Sequence, residues 1–347
     1  ADQETDEDFD LYALDTSAPG SPLQLSSGLS NVLPDFAFSP LGDRVVFQTQ
    51  GVQFALHDVD LAGGSPIALD TSPLTFATFE VSADGTRLVY RRNVSGTNYE
   101  LCSVAMDGTS APVVLHPPLS AGRTVSQFQI SADGVVVFLS DLGQDEVFEL
   151  YAVFFDGSAP PLRLNQTLVT GGDVTSFQID ANGYFAVYLA DARSNNRFEL
   201  YSVPVDGAPL GATRRPVRLN SQLRARGAVT DFALDPDGRR VVYRADQVSD
   251  SRFDLFSVPI YGSRPPHGQL DGARRSRVTF LSAVPAGRAV EQGWSINPDG
   301  TQVVYRANAD TAGELELYRV AVDGSVAPAK LSAALVANGD VLSFAIA

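Results

Sequence analysis

The sequence predicts an all-β fold, a seven-bladed β-propeller of four-stranded antiparallel blades, because one pattern repeats along the whole chain. Seven copies of a short motif, an aromatic residue, a spacer and then an apolar residue, begin at Phe36, Phe79, Phe128, Phe177, Phe232, Trp294 and Phe344. The intervals between copies hold short runs rich in β-branched and aromatic residues, which are typical of strands. Groups of such strands repeated at this spacing indicate propeller blades.

The copy that begins at Phe177 shows the predicted elements in order. FQI is a first strand, and DANG is a tight turn in which Gly183 takes a positive φ. YFAVYLA is a second strand, FELYSVPV a third that ends at the Asp206-Gly207 turn, and the residues around PVRLN form a fourth. Apart from ALVANG near Leu335, the chain lacks helical periodicity.

The motif counts predict that the last blade is divided between the chain termini. Residues 341–347 would supply its first strand and residues 1–27 its third and fourth, with six complete blades from about residue 34 to 333 in a single domain spanning 1–347. Alignment of ADQETDEDFDLYALD with ADQVSDSRFDLFSVP matches Ala1 to Ala245, and Ala347 matches Asp235. The nine residues equivalent to PDGRRVVYR, a turn and the second strand, are therefore missing from this blade.

Two explanations of the missing strand stay open. The sequence is part of a longer polypeptide, or a neighbouring chain supplies the strand and the protein is a subunit of a self-assembling surface structure. A sheet that lacks an internal strand has unpaired edges, which recruit partner strands. The expected edge residues are Phe344, Ala345, Ile346, Phe9, Leu11 and Tyr12.

Charge and composition exclude several functional classes. The formal net charge is −16, which disfavours nucleic-acid binding because that function needs a cationic face. Cys102 is the single cysteine, so the chain forms no internal disulfide and no cysteine metal site, and we interpret its side chain as a buried structural thiol. No apolar run approaches the roughly 18 residues of a membrane-spanning helix.

The candidate catalytic residues do not form a recognisable constellation. The three histidines, His57, His116 and His267, belong to different repeats, and neither a G-x-S-x-G nor an H-E-x-x-H motif occurs. We interpret each histidine as a packing or surface residue. The sequence thus predicts a protein that is not an enzyme and carries no cofactor.

Acidic residues are numerous in the loops between second and third strands. Asp6, Asp8 and Asp10 alternate along an extended segment, which makes them candidates for a calcium site, although their spacing does not match a calcium-binding loop and solvated turn residues are the alternative. A second set recurs at one position, before Leu-Tyr or its equivalent. It comprises Asp10, Glu100, Glu149, Glu199, Asp254 and Glu316, and this recurrence indicates a structural hydrogen bond.

Arginines supply the candidate partner-binding residues. Arg123, Arg224, Arg226 and Arg288 lie in loops between a fourth strand and the next first strand, where they are expected to ring one mouth of the propeller channel. Arg264, Arg274, Arg275 and Arg277 cluster in a long insertion between a third and a fourth strand. An acidic protein partner, or a neighbouring copy of this acidic chain, would suit this cluster.

The repeat resembles a known family. An S/D-P/A-D-G turn, a VVY-type strand and then ELYSV-x-x-DG are similar to the WD40-like PD40 repeats of TolB-type β-propellers, over essentially the whole chain. The resemblance implies a bacterial, extracytoplasmic module, periplasmic or secreted, that binds protein or has a structural role without catalysis. This chain lacks the extra α/β domain of TolB. Related propellers accompany peptidase domains of the prolyl oligopeptidase type, so an accessory domain of a larger hydrolase is an alternative.

Overall fold

The structure is a computed structural model that describes residues 8–17, 20–29, 31–51, 53–72, 75–205, 215–262, 278–282, 284–336 and 339–346. The chain divides into two compact units, Ala1–Arg163 and Leu164–Ala347. In these ranges all regular elements are β-strands, in six four-stranded sheets and one two-stranded sheet. The predicted class, an all-β seven-bladed propeller with one blade lacking its second strand, is confirmed. Its description as a single domain stays a prediction.

Unit 1 contains a two-stranded N-terminal sheet and three blades. The N-terminal sheet pairs β1 (Tyr12–Ala13) with β2 (Leu23–Gln24). Blade 1 consists of β3 (Val32–Phe38), β4 (Arg44–Gln50), β5 (Phe54–Asp60) and β6 (Ile67–Asp70); blade 2 of β7 (Phe76–Val81), β8 (Arg87–Ser95), β9 (Asn98–Ala105) and β10 (Val113–Val114); blade 3 of β11 (Val125–Ile130), β12 (Val135–Gln144), β13 (Val147–Phe154) and β14 (Leu162–Arg163).

Unit 2 contains three further blades and the C-terminal segment. Blade 4 consists of β15 (Val174–Ile179), β16 (Phe185–Ala190), β17 (Glu199–Pro204) and β18 (Val217–Arg218); blade 5 of β19 (Val229–Leu234), β20 (Arg240–Ser249), β21 (Arg252–Pro259) and β22 (Thr279–Phe280); blade 6 of β23 (Ser295–Ile296), β24 (Gln302–Ala307), β25 (Glu316–Ala321) and β26 (Ala329–Lys330). Within each blade, consecutive strands pair antiparallel.

The repeated motif places one row of aromatic side chains across the blades. In blade 4, Phe177 pairs with Tyr188 and Tyr188 with Tyr201, and the two tyrosine rings stack with centroids 5.4 Å apart. In blade 2 the third-strand position of this row is held by Cys102, which pairs with Tyr90 and is fully buried. Burial raises the pKa of the Cys102 thiol to about 12, as expected for a structural cysteine.

The turn between first and second strands is also as predicted. Gly183 has a φ of 75°, and its amide donates to the Asp180 carbonyl over 2.8 Å. The Asp180 carboxylate accepts from the amides of Asn182 and Phe185, which fixes the turn before β16 begins.

Consecutive blades within a unit share their hydrophobic core. Val187 and Leu189, on the second strand of blade 4, belong to the same buried cluster as Val241, Tyr243 and Val258 of blade 5. Full burial of such a side chain contributes about 1.5–3 kcal/mol. The second strand of one blade therefore supplies the side chains that cover the face of the next.

The C-terminal segment starts as a further first strand would. The Val341 amide donates to the Leu315 carbonyl over 2.8 Å, just as Val290, at the start of blade 6, donates to Phe253 over 2.8 Å. Asp340 accepts from the Leu315 amide over 2.6 Å, and Arg306 donates to the Val341 carbonyl over 3.1 Å. In the described range 339–346, however, the segment joins no sheet.

Candidate functional site at the incomplete blade

The N-terminal sheet reproduces the third and fourth strands of a complete blade. The Ser26 hydroxyl donates to Asp10 over 2.6 Å and accepts from the Leu11 amide over 3.1 Å. In blade 5, the Ser282 hydroxyl donates to Asp254 over 3.0 Å and accepts from the Leu255 amide over 3.1 Å. β1 therefore corresponds to β21, and β2 to β22.

The edge of β1 opposite β2 is where a second strand would pair. In blade 5, β21 lies between β20 and β22, whereas among the described strands β1 pairs with β2 alone. Of the predicted edge residues, Leu11 and Tyr12 line the space beside this edge. Phe9 is half exposed, and its carbonyl accepts from the Val32 amide over 2.8 Å, the same bond that Phe253 makes with Val290.

An apolar groove of about 380 Å³ lies beside this edge, entirely within unit 1. Two aromatic side chains of the first strand of blade 1 form its wall: Phe36 is 51% exposed and Phe38 57%, with their rings 5.7 Å apart. The lining is completed by Leu11, Tyr12, Ala13, Leu14, Asp15, Leu25, Val45 and Leu61. Exposed phenylalanines side by side are unusual on a protein surface unless a partner covers them.

Blade 5 shows what normally fills this space. The groove residues Leu11, Leu25, Phe36, Phe38, Val45 and Leu61 correspond in strand register to Leu255, Leu281, Trp294, Ile296, Val303 and Val322. Those six residues form one hydrophobic cluster together with Val242, on the second strand of blade 5. Phe36 and Phe38 are therefore exposed at the positions where, in blade 6, Trp294 and Ile296 pack against a cluster that includes a second-strand side chain of the preceding blade.

The acidic residues near this end are engaged in local hydrogen bonds. Asp8 accepts from the Asn31 amide over 2.6 Å, and Asp10 accepts from Ser26. Asp6 lies outside the described residues. No group of three or more metal-ligating side chains occurs in the described part of the chain, so the calcium site stays a prediction without a geometric counterpart.

The recurring acidic residue before Leu-Tyr has a structural role, as predicted. Glu199 accepts from the Tyr201 hydroxyl over 2.8 Å and from Arg218, on the fourth strand, over 2.7 Å. The same three-residue contact links Glu149, Tyr151 and Arg163 in blade 3. In blades 3 and 4 these carboxylates bind the third strand to the fourth.

Among the candidate partner-binding arginines, Arg123 and Arg288 occupy equivalent loop positions, and Arg224 lies three residues earlier in its loop. Arg123, Arg224 and Arg288 each donate to a backbone carbonyl at or just beyond the end of the second strand of their own blade, over 2.7, 3.0 and 2.8 Å. Arg226 is exposed. Arg123 belongs to unit 1 and the others to unit 2, so their arrangement as a ring stays a prediction. Arg264, Arg274, Arg275 and Arg277 lie outside the described residues.

Two histidines have contacts within their own blades. His57 stacks on Phe47 with ring centroids 5.5 Å apart and lies 3.1 Å from the Thr49 hydroxyl. The Nε2 of His116 accepts from the Leu101 amide over 3.0 Å. Burial lowers the pKa of both imidazoles, which favours the neutral form. His267 lies outside the described residues.

Sequence reasoning missed the side chains that join one blade to the next. Arg244, on the second strand of blade 5, donates to the Val290 carbonyl over 2.8 Å. Arg91 in blade 2 makes the equivalent contact with Val125 over 3.1 Å. The recurring arginine after Val-Tyr, visible as VYR in three repeats, could have indicated this position. Only the register shows that it faces the following blade.

Three solved structures illustrate the likeness to known folds. The TolB structure from Agrobacterium tumefaciens is 17% identical and has a TM-score of 0.40, covering 71% of this chain and 80% of its own. TolB from Acinetobacter baumannii is 14% identical with a TM-score of 0.39, covering 82% and 62%. A prolyl endopeptidase is 14% identical with a TM-score of 0.51, covering 94% of this chain and 46% of its own.

These similarities concern the fold. Nearly the whole of this chain matches the prolyl endopeptidase, but the chain spans only about half of that enzyme's length. No protein-family profile matches the sequence, and no curated protein is significantly similar to it. Within the described residues, no helix is long and apolar enough to cross a membrane. The chain is accordingly a β-propeller in fold, and its repeat motifs resemble those of TolB-type propellers.

Proposed function

We propose that this chain is a non-catalytic propeller module that binds protein, and that its binding site is the groove beside β1. The single observation that supports this function is the apolar groove with the exposed rings of Phe36 and Phe38, which lies beside β1, a strand that pairs with β2 alone among the described strands. An open edge offers backbone hydrogen bonds to an extended segment, and an adjacent apolar groove offers burial for its side chains. Both kinds of contact suit a polypeptide ligand.

We further propose that the protein acts outside the cytoplasm, in the periplasm or after secretion. The support is the resemblance of the S/D-P/A-D-G and ELYSV-x-x-DG motifs to those of TolB-type propellers. The presence of the mature protein in a periplasmic or secreted fraction of its native host would support this location, and its retention in the cytoplasmic fraction would contradict it.

The binding function can be tested with an array of overlapping 12-residue peptides that tile the chain's own sequence, which is rich in extended apolar segments. The labelled full-length chain should be retained by a subset of these peptides. The double variant Phe36→Ser/Phe38→Ser should lose that retention, whereas Tyr184→Ser, which removes a half-exposed aromatic ring from a complete blade, should keep it. Retention by no peptide, or equal retention of the wild type and the double variant, would contradict the proposed function.

An accessory propeller of a larger hydrolase is a second candidate. It is favoured by the match to a prolyl endopeptidase, which covers 94% of this chain but less than half of that enzyme. The reading frame around these residues decides it: an adjoining domain with a G-x-S-x-G nucleophile motif would support this candidate, and any other context would remove it.

Self-assembly is the third candidate, with the cluster Arg264, Arg274, Arg275 and Arg277 as a contact for a neighbouring acidic copy. Light scattering of the purified chain over a range of concentrations should then show a mass above that of a monomer. The charge-reversing variant Arg274→Glu/Arg275→Glu should restore the monomer. A monomeric wild type, or assembly unchanged in the variant, would rule out this role for the cluster.

A further inference from the structure

A small cationic cavity lies in blade 4, entirely within unit 2, between the loop that follows the second strand and the fourth strand. Its volume is about 290 Å³, and its lining consists of Arg193, Ser194, Arg197, Glu199, Arg218 and Gln222. Three guanidinium groups thus face a single carboxylate, so two positive charges are not balanced within the lining. This local excess of positive charge contrasts with the net charge of −16 of the whole chain.

The carboxylate in this lining already has partners. Glu199 is 3% exposed and accepts from the Tyr201 hydroxyl over 2.8 Å and from Arg218 over 2.7 Å. It therefore neutralises Arg218. Among the described residues, neither Arg193 nor Arg197 forms an ion pair with a carboxylate, and Arg197 donates to the Leu223 carbonyl instead.

Blade 5 shows the same loop with its arginine neutralised. The two loops align because in each of them an aspartate carboxylate accepts from the amide five residues later. Arg197 therefore corresponds to Arg252, and both donate to a backbone carbonyl. Arg252 also forms an ion pair with Asp254, whose carboxylate lies 3.1 Å from its Nε. In blade 4 the equivalent carboxylate, that of Glu199, is directed to the fourth strand instead.

Arg193 is the cationic residue that blade 4 adds. The same loop position is held by Gly143 in blade 3 and by Val248 in blade 5. Burial raises the pKa of Tyr201, and the positive charges of Arg193 and Arg218 oppose that rise, so both guanidinium groups lie near the Tyr201 hydroxyl. The extra charge is thus added to the cavity and not to a remote part of the loop.

The charge and size of the cavity indicate the class of ligand. Guanidinium groups are planar donors that bind phosphate oxygens through paired N–H bonds. A phosphate monoester carries a charge of about −1.5 to −2 at pH 7, which matches the two unbalanced positive charges. Pockets for drug-sized ligands have volumes of about 300–1,000 Å³, so a cavity of about 290 Å³ suits a small ligand.

We propose that this cavity, with Arg193 and Arg197 as its unbalanced cations, binds a phosphate group, either inorganic phosphate or the phosphate of a small phosphomonoester. Ser194 and Gln222 are the neutral donors available beside it. The site lies within unit 2, and the inference goes beyond the proposed binding of protein and does not depend on it.

Calorimetric titration of the full-length chain tests the ligand class, with inorganic phosphate and glycerol 3-phosphate as separate probes. At least one should bind saturably to one site per chain, and acetate at the same ionic strength should not. Similar affinities for the two probes would identify the phosphate group alone as the ligand, whereas tenfold tighter binding of glycerol 3-phosphate would identify a phosphomonoester. Saturable binding of neither probe, or equal binding of acetate, would overturn the inference.

A pair of variants tests the location. Arg193→Gln removes one of the two unbalanced charges and should lower the affinity for the bound probe at least tenfold. Arg193 is exposed and has no ion pair among the described residues, so the fold should be unaffected. The matched control Arg239→Gln removes an exposed guanidinium from the turn before β20 and should change the affinity less than twofold. Unchanged affinity in Arg193→Gln, or an equal loss in the control, would contradict the proposed site.

Chemical modification of the wild type tests the same location without substitution. Phenylglyoxal modifies exposed arginines, and mass spectrometry of peptides gives the rate at each position. A saturating concentration of the bound probe should slow the modification of Arg193 several-fold and leave that of Arg239 unchanged. Equal rates at Arg193 with and without the probe would show that the phosphate group does not occupy this cavity.

Discussion

At the scale of single residues, charged and amide groups on the first strands connect neighbouring blades. In unit 2, the Gln178 side chain accepts from the Leu234 amide of the next blade over 3.3 Å. In unit 1 the equivalent residue is Glu80, whose carboxyl group is bound by the Ile130 amide, while burial raises its pKa to about 7. Glu80 and Gln178 therefore accept the same kind of hydrogen bond from the next blade, but only the Glu80 side chain can titrate.

This difference predicts a pH dependence of stability that depends on one side chain. The pKa of Glu80 is raised on folding, from 4.5 to about 7, so the folded state favours the protonated form. The contribution of Glu80 to the free energy of unfolding is fully present below pH 4.5 and is lost as the pH rises through 7. The variant Glu80→Gln should therefore be more stable than the wild type at pH 8, and the two should be nearly equal at pH 4.

Urea denaturation at both pH values measures this effect, and the converse variant is its control. Gln178→Glu should introduce the same loss of stability between pH 4 and pH 8 into unit 2. A Glu80→Gln variant whose stability follows that of the wild type at both pH values would show that this carboxyl group does not titrate as described.

At the scale of elements, the second strand provides side-chain contacts from one blade to the next. Arg244 is 6% exposed, stacks over the Phe253 ring at 4.1 Å and donates to the Val290 carbonyl, so one side chain holds the third strand of blade 5 and the start of blade 6. Leu189 occupies the same position in blade 4 without any charge. The position therefore needs a long side chain more than it needs a cation.

Two substitutions at this position should differ in their cost. Arg244→Ala removes the ring contact and the hydrogen bonds to Val290 and Thr230 and leaves a void, so it should lower the free energy of unfolding by about 2–4 kcal/mol. Arg244→Leu restores apolar contact and should cost about half as much. Chemical denaturation of both variants tests this, and equal losses would show that the charge itself is decisive.

The sequence was sufficient to predict the strand order and the place of the missing strand, because both follow from aligning the repeats. It was not sufficient to predict the groove. In a strand, alternate side chains point to opposite faces, and the alignment does not show which face meets the next blade. The repeat FAFSPLG predicts a first strand. The exposure of Phe36 and Phe38 cannot be predicted in the same way, because it depends on which side chains of a preceding blade would cover them.

At the scale of the whole molecule, equivalent first-strand positions in the described blades differ in how far they are buried. Phe177 and Phe36 start the same motif, but Phe177 is 2% exposed and Phe36 is 51% exposed. The two phenylalanines therefore contribute differently to folding, because only the Phe177 ring is fully removed from water.

The substitution of serine for each phenylalanine makes this comparison. Phe177→Ser should lower the free energy of unfolding by about 3–5 kcal/mol, the usual cost of removing a buried aromatic side chain. Phe36→Ser should cost about 1 kcal/mol or less and should reduce the binding of a hydrophobic dye to the native protein. Thermal and chemical denaturation give the first difference and dye fluorescence the second. A similar loss of stability in both variants would mean that Phe36 is covered in solution.

The clusters that span two blades have a consequence for how the chain comes apart. Each links a blade only to its immediate neighbour, in unit 1 from blade 1 to blade 2 and from blade 2 to blade 3. Such nearest-neighbour coupling makes fraying begin at the end with the fewest contacts and pass along the series. In unit 1 that end is the N-terminal sheet. A strand bound there would act as a cap, so protease resistance at sites far from the groove would report whether it is filled.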